Sequence, residues 1–178
     1  MKSFIYSMNV ILYMAITANG MIAKENDNTD WVSPTEGKSF IGMIQKAGNM
    51  IIGRRTYEVM LNNDEFRKLK KIRIIVISRK LKTNKEVTVV NSPREAIHFL
   101  QQQRFSIILV CGGGKLNACF MKEKLINEIY LDVEPIILGA GIKLFADAEF
   151  EAKLELMEVQ KLSRNEVQLH YKVKDIIK

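Results

Sequence analysis

Apolar runs alternate with helical patterns along most of the chain. Six short runs have the length of buried strands, and the segments between them are long enough for a crossover helix or a loop. The predicted strands cover residues 10–17, 49–52, 72–77, 87–90, 106–111 and 128–133. Strands that alternate with helices in this way predict an α/β fold around a mostly parallel sheet.

Local signals mark two helix starts and a change of pattern near the C-terminus. Residues 33–36 and 92–95 each offer a serine cap, a proline in the first turn and a glutamate three residues after the serine. Residues 152–161 and 166–174 read as two strands around a polar turn at 162–165. We therefore expect an antiparallel hairpin that completes the sheet.

Length and charge narrow the class of protein. The chain has 178 residues, of which 47% are hydrophobic, so we expect one globular domain over residues 1–178. A net charge of +7 suits an anionic partner, whether a phosphorylated small molecule, nucleic acid or a membrane surface. The basic cluster at 67–73 has no aromatic residues between its charges, which favours a solvated helix end or loop over a nucleic-acid site.

The N-terminus and the cysteines indicate a cytoplasmic protein. A short apolar run with small residues after it is similar to a signal peptide, but Tyr6, Ser7 and Asn9 interrupt the apolar region. No run approaches the ~20 apolar residues that span a bilayer. Cys111 and Cys119 have the spacing of no known ligand pair, so we expect two reduced thiols and no metal site. Neither a membrane nor nucleic acid is expected as a partner.

Glycines and cations follow three of the predicted strands. Gly112, Gly113 and Gly114 come directly after one strand, where bare backbone before a helix lets a phosphate approach, although a tightly packed turn needs the same residues. Gly53 leads into Arg54, Arg55 and Thr56, and a third strand ends at Ser78 and Arg79. Ligands of open sheets bind at the carboxyl ends of the strands, so these ends predict a site for one extended, multiply phosphorylated molecule. The alternative is three unrelated turns with solvated arginines.

Four motifs in a fixed order carry a family resemblance. MAITANGMIA, IIGRRTYE, VCGGGKLN and LDVEPIILGAGIKLF together resemble the dihydrofolate reductase-like family, and within it the branch that includes the reductase of riboflavin biosynthesis. The last motif is similar to the Pro, Leu-Gly-x-Gly and Leu-Phe pattern of that branch. The resemblance implies a three-layer α/β fold, with a mostly parallel central sheet and an antiparallel C-terminal hairpin, and a homodimer.

The same resemblance implies NADPH as the hydride donor. Its contacts would be Ala15, Gly53, Arg54, Arg55, Thr56, Ser78, Arg79, Gly112, Gly113, Gly114, Lys115 and Leu116. Arg54, Arg55 and Thr56 match the family's contacts to the cofactor phosphates. Ser78 and Arg79 match the strand end that meets the 2′-phosphate, which favours NADPH over NADH.

On the substrate side, the segment DWVSPTEGKSF resembles the part of dihydrofolate reductases in which an acidic residue follows a tryptophan by five positions. Glu36 stands five residues after Trp31 and is the candidate catalytic residue, with Trp31, Phe40 and Asp132 as candidate substrate contacts. A carboxyl group there would bond an amidine-like edge of a heterocycle and favour its protonated form. Equally, Glu36 would bond the Ser33 amide as the third residue of a capping box.

Departures from the family pattern limit the choice of substrate. Asn19-Gly20-Met21 replaces the usual Asp-Gly-Lys of the riboflavin branch, and the Leu-Pro-Gly-Arg segment that holds the folate tail is missing. We predict an NADPH-dependent reductase of a C=N or C=O bond in a small heterocycle, a pyrimidine or pterin relative, similar to 5-amino-6-(5-phosphoribosylamino)uracil reductase. The alternatives are a dihydrofolate reductase and a non-catalytic basic protein that binds a nucleotide or nucleic acid.

Overall fold

An eight-stranded sheet forms the centre of the computed structural model, which describes residues 8–62, 69, 71–146 and 148–177. The strands are β1 (Asn9–Thr17), β2 (Met21–Ala23), β3 (Asn49–Gly53), β4 (Arg73–Ile77), β5 (Val87–Val90), β6 (Ile107–Val110), β7 (Glu128–Glu134), β8 (Ile142–Lys143), β9 (Glu151–Lys161) and β10 (Val167–Ile177). The helices are α1 (Pro34–Ala47), α2 (Arg54–Met60), α3 (Pro93–Gln102) and α4 (Gly114–Lys122).

The strand order of the large sheet is β5-β4-β3-β6-β1-β7-β10-β9. Strands from β5 to β7 pair in parallel, whereas β10 pairs antiparallel with both β7 and β9. Parallel strands have both faces covered by helices, which is why their sequences are continuous apolar runs rather than alternating ones. The pairing confirms the predicted fold class, including the C-terminal hairpin.

Two clusters of buried side chains, one on each face of the large sheet, join the sheet to a layer of helices on either side. Successive residues of a strand face opposite sides, so Leu12 and Ile51 pack under α3 and α4, whereas Ile11 and Ile52 pack under α1 and α2. The helices contribute Leu100 and Phe120 to the first cluster and Ile44 and Tyr57 to the second, all of them buried. The large sheet is therefore the middle layer.

Both predicted helix starts are confirmed. The Ser33 hydroxyl oxygen accepts a hydrogen bond from the Glu36 amide at 3.0 Å, and the Ser92 oxygen accepts one from the Glu95 amide at 3.2 Å. α1 ends at Gly48, whose φ of 69° is the left-handed conformation that glycine adopts without strain.

A small second sheet was not predicted from the sequence. β2 and β8 have three and two residues and pair antiparallel, which is too short to leave a periodic pattern. This pairing holds the segment after β7 against the start of α4, where the Ala146 amide donates to the Gly114 carbonyl at 3.1 Å. The Asn117 side chain also donates to the Leu144 carbonyl at 2.9 Å.

The outer surface bears on three of the predictions. β9 is an edge strand that exposes Leu154, Leu156, Met157 and Val159 by 42–56%. These side chains are available to a second copy of the chain, and the homodimer stays a prediction. Three of the five basic residues in the cluster at 67–73, namely Arg67, Lys68 and Lys70, lie outside the described residues. Within the described part, no helix is both long enough and apolar enough to cross a membrane.

Gly114 is expected to be intolerant of any side chain. A Cβ atom there would lie 2.4 Å from the Lys143 carbonyl oxygen, which is backbone and has little freedom to move. Replacement Gly114→Ala should therefore lower the free energy of unfolding by roughly 2 kcal/mol or more. Chemical denaturation provides the measurement, with Gly42→Ala as the matched control.

Gly42 lies on the exposed side of α1, and no atom lies within 4 Å of the Cβ position. Alanine in the middle of a helix is more favourable than glycine by about 0.5–1 kcal/mol, so this variant should be as stable as the natural protein or more so. Equal stability of Gly114→Ala and Gly42→Ala would show that the contact between α4 and β8 does not constrain the chain.

Candidate active site

The sheet brings the three predicted strand ends to one edge. β4, β3 and β6 are neighbours, and Gly53 lies opposite Ile77, so Arg54 and Ser78 follow at adjacent positions. The Gly53 amide donates to the Gly112 carbonyl at 2.9 Å and connects the second end to the glycine turn. The three strand ends are therefore adjacent, and the binding of one extended ligand by all three stays a prediction.

The cations at this edge already have partners. Arg54 Nη1 lies 2.9 Å from Glu58 Oε1 one turn along α2, and Arg55 pairs with Asp27 in the loop between β2 and α1. The Ser78 hydroxyl oxygen accepts from the Lys80 and Leu81 amides, both at 3.1 Å, while Arg79 is exposed. A phosphate at this edge would therefore replace Glu58 as the partner of Arg54, or Asp27 as the partner of Arg55. The side chains of Arg54, Glu58 and Arg55 are 43–64% exposed, and ion pairs of exposed groups are weak.

Packing accounts for two glycines of the turn, and the third has a different environment. Gly112 has a φ of 89°, and a Cβ atom on it would meet Met14 at 3.0 Å, while Gly114 packs against the Lys143 carbonyl. A Cβ atom on Gly113, in contrast, would lie 3.4 Å from the Thr56 hydroxyl oxygen. Packing therefore explains Gly112 and Gly114. Of the three glycines, Gly113 is the one left for the predicted contact with a phosphate.

The start of α4 offers backbone donors beside Gly113 that have no acceptor among the described residues. The first bonds of this helix run from the Leu116 and Asn117 amides to the Gly113 carbonyl, so the amides of Gly114 and Lys115 precede the helical pattern. Amides at a helix start, together with the helix dipole, favour an anion. Of the other predicted contacts here, the Lys115 side chain is exposed and Leu116 is buried.

A cavity of about 580 Å³ lies between α1, α2 and the end of β1. Its lining includes Tyr13, Ala15, Glu36, Phe40, Thr56 and Cys111. A cleft of this size with mostly apolar walls and few polar groups suits a small planar heterocycle. Ala15 and Thr56 line both this cavity and the predicted cofactor side, so the two predicted sites adjoin.

Glu36 is the carboxyl group in the lining of the cavity, and its environment raises its pKa. Its side chain is 5% exposed, and burial raises its pKa to about 8, with further contributions from the negative charges of Asp132, Glu134 and Glu166. At neutral pH the carboxyl group is therefore protonated. A buried carboxylic acid in a cleft is the arrangement that general acid catalysis requires.

The hydrogen bonds at the start of α1 differ from those of a capping box. The capping-box alternative predicted that the Ser33 amide bonds Glu36. In the structure the Ser33 amide donates instead to Glu134 Oε1 at 2.8 Å. In α3 the equivalent Glu95 does turn back to the backbone, where its Oε2 accepts at 2.8 Å from the amide of Asn91, the residue before the cap Ser92. Glu36 is free of this contact and faces the cavity.

Asp132 lies behind the cavity wall rather than in it. The side chain is 1% exposed and accepts hydrogen bonds from the Tyr13 hydroxyl and, at 2.7 Å, from Gln168 Nε2. The Tyr13 hydroxyl also lies 2.7 Å from the Ser39 oxygen. Burial raises the pKa of Asp132, an effect that the bonds from Tyr13, Gln168 and Ser39 oppose. The predicted substrate contact is thus a buried carboxyl group that supports Tyr13.

The two aromatic candidates occupy different positions. Phe40 lines the cavity and stacks on Tyr13 with 5.6 Å between ring centroids. Trp31 is half-buried, and its Nε1 has no hydrogen-bond partner among the described residues. Its neighbour Val32 lines the cavity, so Trp31 lies at the edge of the site.

Sequence reasoning missed Tyr13, Ser39, Glu134, Glu166 and Gln168. Tyr13 stands in an apolar run, and nothing in its neighbourhood marks it as polar in function. For Asp132 and Glu134 a signal was present, because two acidic residues spaced by two in a strand share one face and are out of place in a buried sheet.

Comparisons with known proteins agree with this fold. The model of the family described as RibD C-terminal domain matches residues 8–168. The uncharacterized protein YwjB of Bacillus subtilis (strain 168) is 35% identical over 167 residues, which cover 90% of this chain and 95% of that protein.

Two solved structures are similar in fold. A putative riboflavin biosynthesis protein from Shewanella sp. PV-4 has a TM-score of 0.80 at 22% identity and matches 94% of this chain and 100% of its own. A diaminohydroxyphosphoribosylaminopyrimidine deaminase/5-amino-6-(5-phosphoribosylamino)uracil reductase from Thermotoga maritima has a TM-score of 0.72 at 18% identity. That match covers 94% of this chain and 57% of the Thermotoga chain. Both confirm the predicted dihydrofolate reductase-like fold.

The raised pKa of Glu36 predicts a specific dependence of stability on pH. The folded protein holds a proton on Glu36 up to about pH 8, whereas the unfolded chain releases it near the ordinary value of 4.5. The contribution of Glu36 to stability is therefore complete below about pH 4.5 and is lost as the pH rises to 8, by about 1.4 kcal/mol for each pH unit.

Replacement Glu36→Gln removes this titration. The free energy of unfolding of the variant, minus that of the natural protein, should increase between pH 5 and pH 8, as measured by urea denaturation at fixed salt. Glu95→Gln, at the same position of α3, is the control and should give a difference independent of pH over this range. A constant difference for Glu36→Gln would mean that the carboxyl group is ionised in the folded protein.

Proposed function

The chain belongs to the family of the RibD C-terminal domain, and from this membership we propose that it is an NADPH-dependent reductase of a small heterocycle. The name of the Thermotoga protein includes a uracil reductase activity, which supports a pyrimidine-type acceptor for this chain. The observation that carries the proposal is the buried Glu36 carboxyl group, which lines a cavity beside the glycine turn and whose pKa burial raises to about 8.

The edge of the sheet has the groups that a dinucleotide phosphate requires. The amides at the start of α4, Gly113 and the Thr56 hydroxyl would hold the diphosphate, since they combine close backbone approach with free donors. Arg54 and Arg79, at the ends of β3 and β4, would hold the additional phosphate of NADPH. Bound NADPH would supply the hydride to an acceptor in the adjoining cavity.

Glu36 would supply the proton that completes the reduction. Addition of a hydride to the carbon of a C=N or C=O bond leaves negative charge on the nitrogen or oxygen. A protonated carboxyl group next to that atom neutralises the charge by donating its proton, and solvent then returns a proton to the carboxylate. Phe40 and Tyr13 line the same cavity and would hold the plane of the ring against the acid.

The cofactor assignment predicts a preference for NADPH that depends on Arg54. Arg54→Ala should weaken NADPH binding about tenfold, the effect of losing one charge-assisted phosphate contact, and should affect NADH less. Titration followed by Trp31 and cofactor fluorescence measures both affinities. Arg73→Ala is the control, because Arg73 is an exposed arginine at the opposite, amino end of β4. Equal weakening by the two variants would indicate an effect of net charge alone.

The catalytic assignment predicts a pH dependence with a defined sign. The rate of NADPH oxidation with a reducible pyrimidine or pterin should be constant at neutral pH and fall as the pH rises through about 8, where Glu36 loses its proton. Glu36→Gln should reduce kcat roughly 100-fold and remove this decline. Retention of both the rate and the decline in Glu36→Gln would assign the acid to another group. Dihydrofolate belongs in the same acceptor panel, since its reduction would favour the folate alternative.

A further inference from the structure

We propose that Glu134 is a positioning residue, which binds the Ser33 amide at the start of α1 and thereby leaves the Glu36 carboxyl group free to face the cavity. The inference deepens the proposed function and rests on it for the role of Glu36 as an acid. Its structural part, the competition of two glutamates for one amide, can be tested without any substrate.

The chain contains an internal comparison for this exchange. α1 and α3 begin with the same pattern, in which a serine, a proline and a glutamate occupy equivalent positions. In α3 the glutamate turns back to the backbone, and Glu95 accepts from the Asn91 amide. In α1 the amide of Ser33 is bonded to Glu134, from a different strand, at 2.8 Å.

Asn91 precedes the cap of α3, and the Val32 amide at the corresponding position of α1 donates to the Thr29 carbonyl at 3.1 Å. At the start of α1 the amides of both Val32 and Ser33 are therefore bonded to groups other than Glu36, and the acceptor for Ser33 is the carboxylate from β7.

β7 is placed to supply that carboxylate. Asp132 and Glu134 are two residues apart and share one face of the strand, 1% and 2% exposed. Asp132 contacts Ser39 through the Tyr13 network, and Glu134 contacts Ser33 directly. Ser33 and Ser39 stand three residues before and after Glu36, so β7 contacts α1 one turn to either side of it. This pair of contacts determines the position of the helix segment that carries Glu36.

Electrostatics at the helix start favour this exchange. Negative charge is stabilising near the first turn of a helix, and the hydrogen-bonded Glu134 and Glu166 are the acidic groups at that position. Hydrogen bonds from Ser33 and Ser163, together with the contact to Glu134, hold the pKa of Glu166 below its ordinary value. After burial and Asp132, the negative charges of Glu134 and Glu166 also raise the pKa of Glu36, which favours its neutral form inside the cavity.

Several titratable groups surround Glu36 and enter any test based on pH. They are Tyr13 on β1, Lys38 on α1, Cys111 after β6, Asp132 and Glu134 on β7, and Glu166 before β10. Burial raises the pKa of both Tyr13 and Cys111, so neither ionises near pH 8. Replacement of Glu134 changes both a charge and a hydrogen-bond acceptor, and the two effects need separate variants.

The primary experiment measures the titration of the Glu36 carboxyl carbon by NMR in the natural protein, Glu134→Gln and Glu134→Ala. Glutamine removes the charge but keeps an oxygen for the Ser33 amide, whereas alanine removes both. In Glu134→Ala we expect Glu36 to turn to the Ser33 amide, which stabilises its ionised form. Its titration midpoint should then lie lower than in Glu134→Gln by about one pH unit or more. Equal midpoints in the two variants would overturn the proposal, since the charge alone would then account for the effect.

A second experiment avoids any substitution of Glu134 and so does not depend on the folding of those variants. If Glu134 is the acceptor, Glu36→Gln should leave the amide resonance of Ser33 nearly unchanged, whereas Glu95→Gln should shift the amide resonance of Asn91. A shift of the Ser33 resonance as large as that of Asn91 would show that Glu36 is the acceptor and would contradict the proposal.

The kinetic consequence separates this inference from the proposed function. With an acceptor that is reduced, kcat at pH 7 should fall further in Glu134→Ala than in Glu134→Gln, and the decline with pH should move to lower pH in step with the NMR midpoint. If no acceptor oxidises NADPH, the proposed function fails, while the two NMR experiments still decide whether Glu134 positions Glu36.

Discussion

Parallel hydrogen bonding from β5 to β7 determines where the chemistry of this protein can lie. Parallel strands all end at the same edge, so the segments that follow β1, β3, β4, β6 and β7 meet there without any long-range signal in the sequence. The helices that return the chain cover both faces, which leaves the edge as the place where backbone and polar side chains remain accessible. The cavity, the glycine turn and the cations all follow from this constraint.

The same edge carries two opposite electrostatic environments. Toward β3 and β4 it has arginines and the start of α4, which favour an anion. Toward β1 and β7 it has buried carboxyl groups, which favour a neutral or donor-rich ligand. The net charge of +7 of the whole chain therefore has the sign of the arginine-rich side of the site, whereas the other side carries carboxyl groups. One side of the edge therefore suits an anionic group and the other side suits a group that takes up a proton, and the two sides are adjacent in the sheet.

Much of the fold could be predicted because its signals are local. Buried parallel strands leave continuous apolar runs, and the serine, proline and glutamate of each helix start lie within four residues. The site was less predictable, because its hydrogen bonds connect residues such as Tyr13, Asp132 and Gln168, which are more than 30 positions apart. The capping pattern at Ser33 shows the difference clearly. Its serine and proline lie where the local rule predicts. The Ser33 amide, however, donates to Glu134, 101 positions away, and not to the nearby Glu36.

The remaining unpaired atoms are consistent with a site in this region rather than with a fold optimised for stability. Within the described residues, the buried polar atoms without a partner are Trp31 Nε1, Asn117 Oδ1 and Glu166 Oε2. Trp31 directly precedes a cavity residue, Asn117 lies beside the glycine turn, and Glu166 contacts Ser33. A buried polar atom without a protein partner is commonly bonded to ordered water or to a ligand, because leaving it unpaired costs free energy. These three atoms lie around the start of α1 and the start of α4, at the edge of the sheet that the strand topology indicates for a ligand.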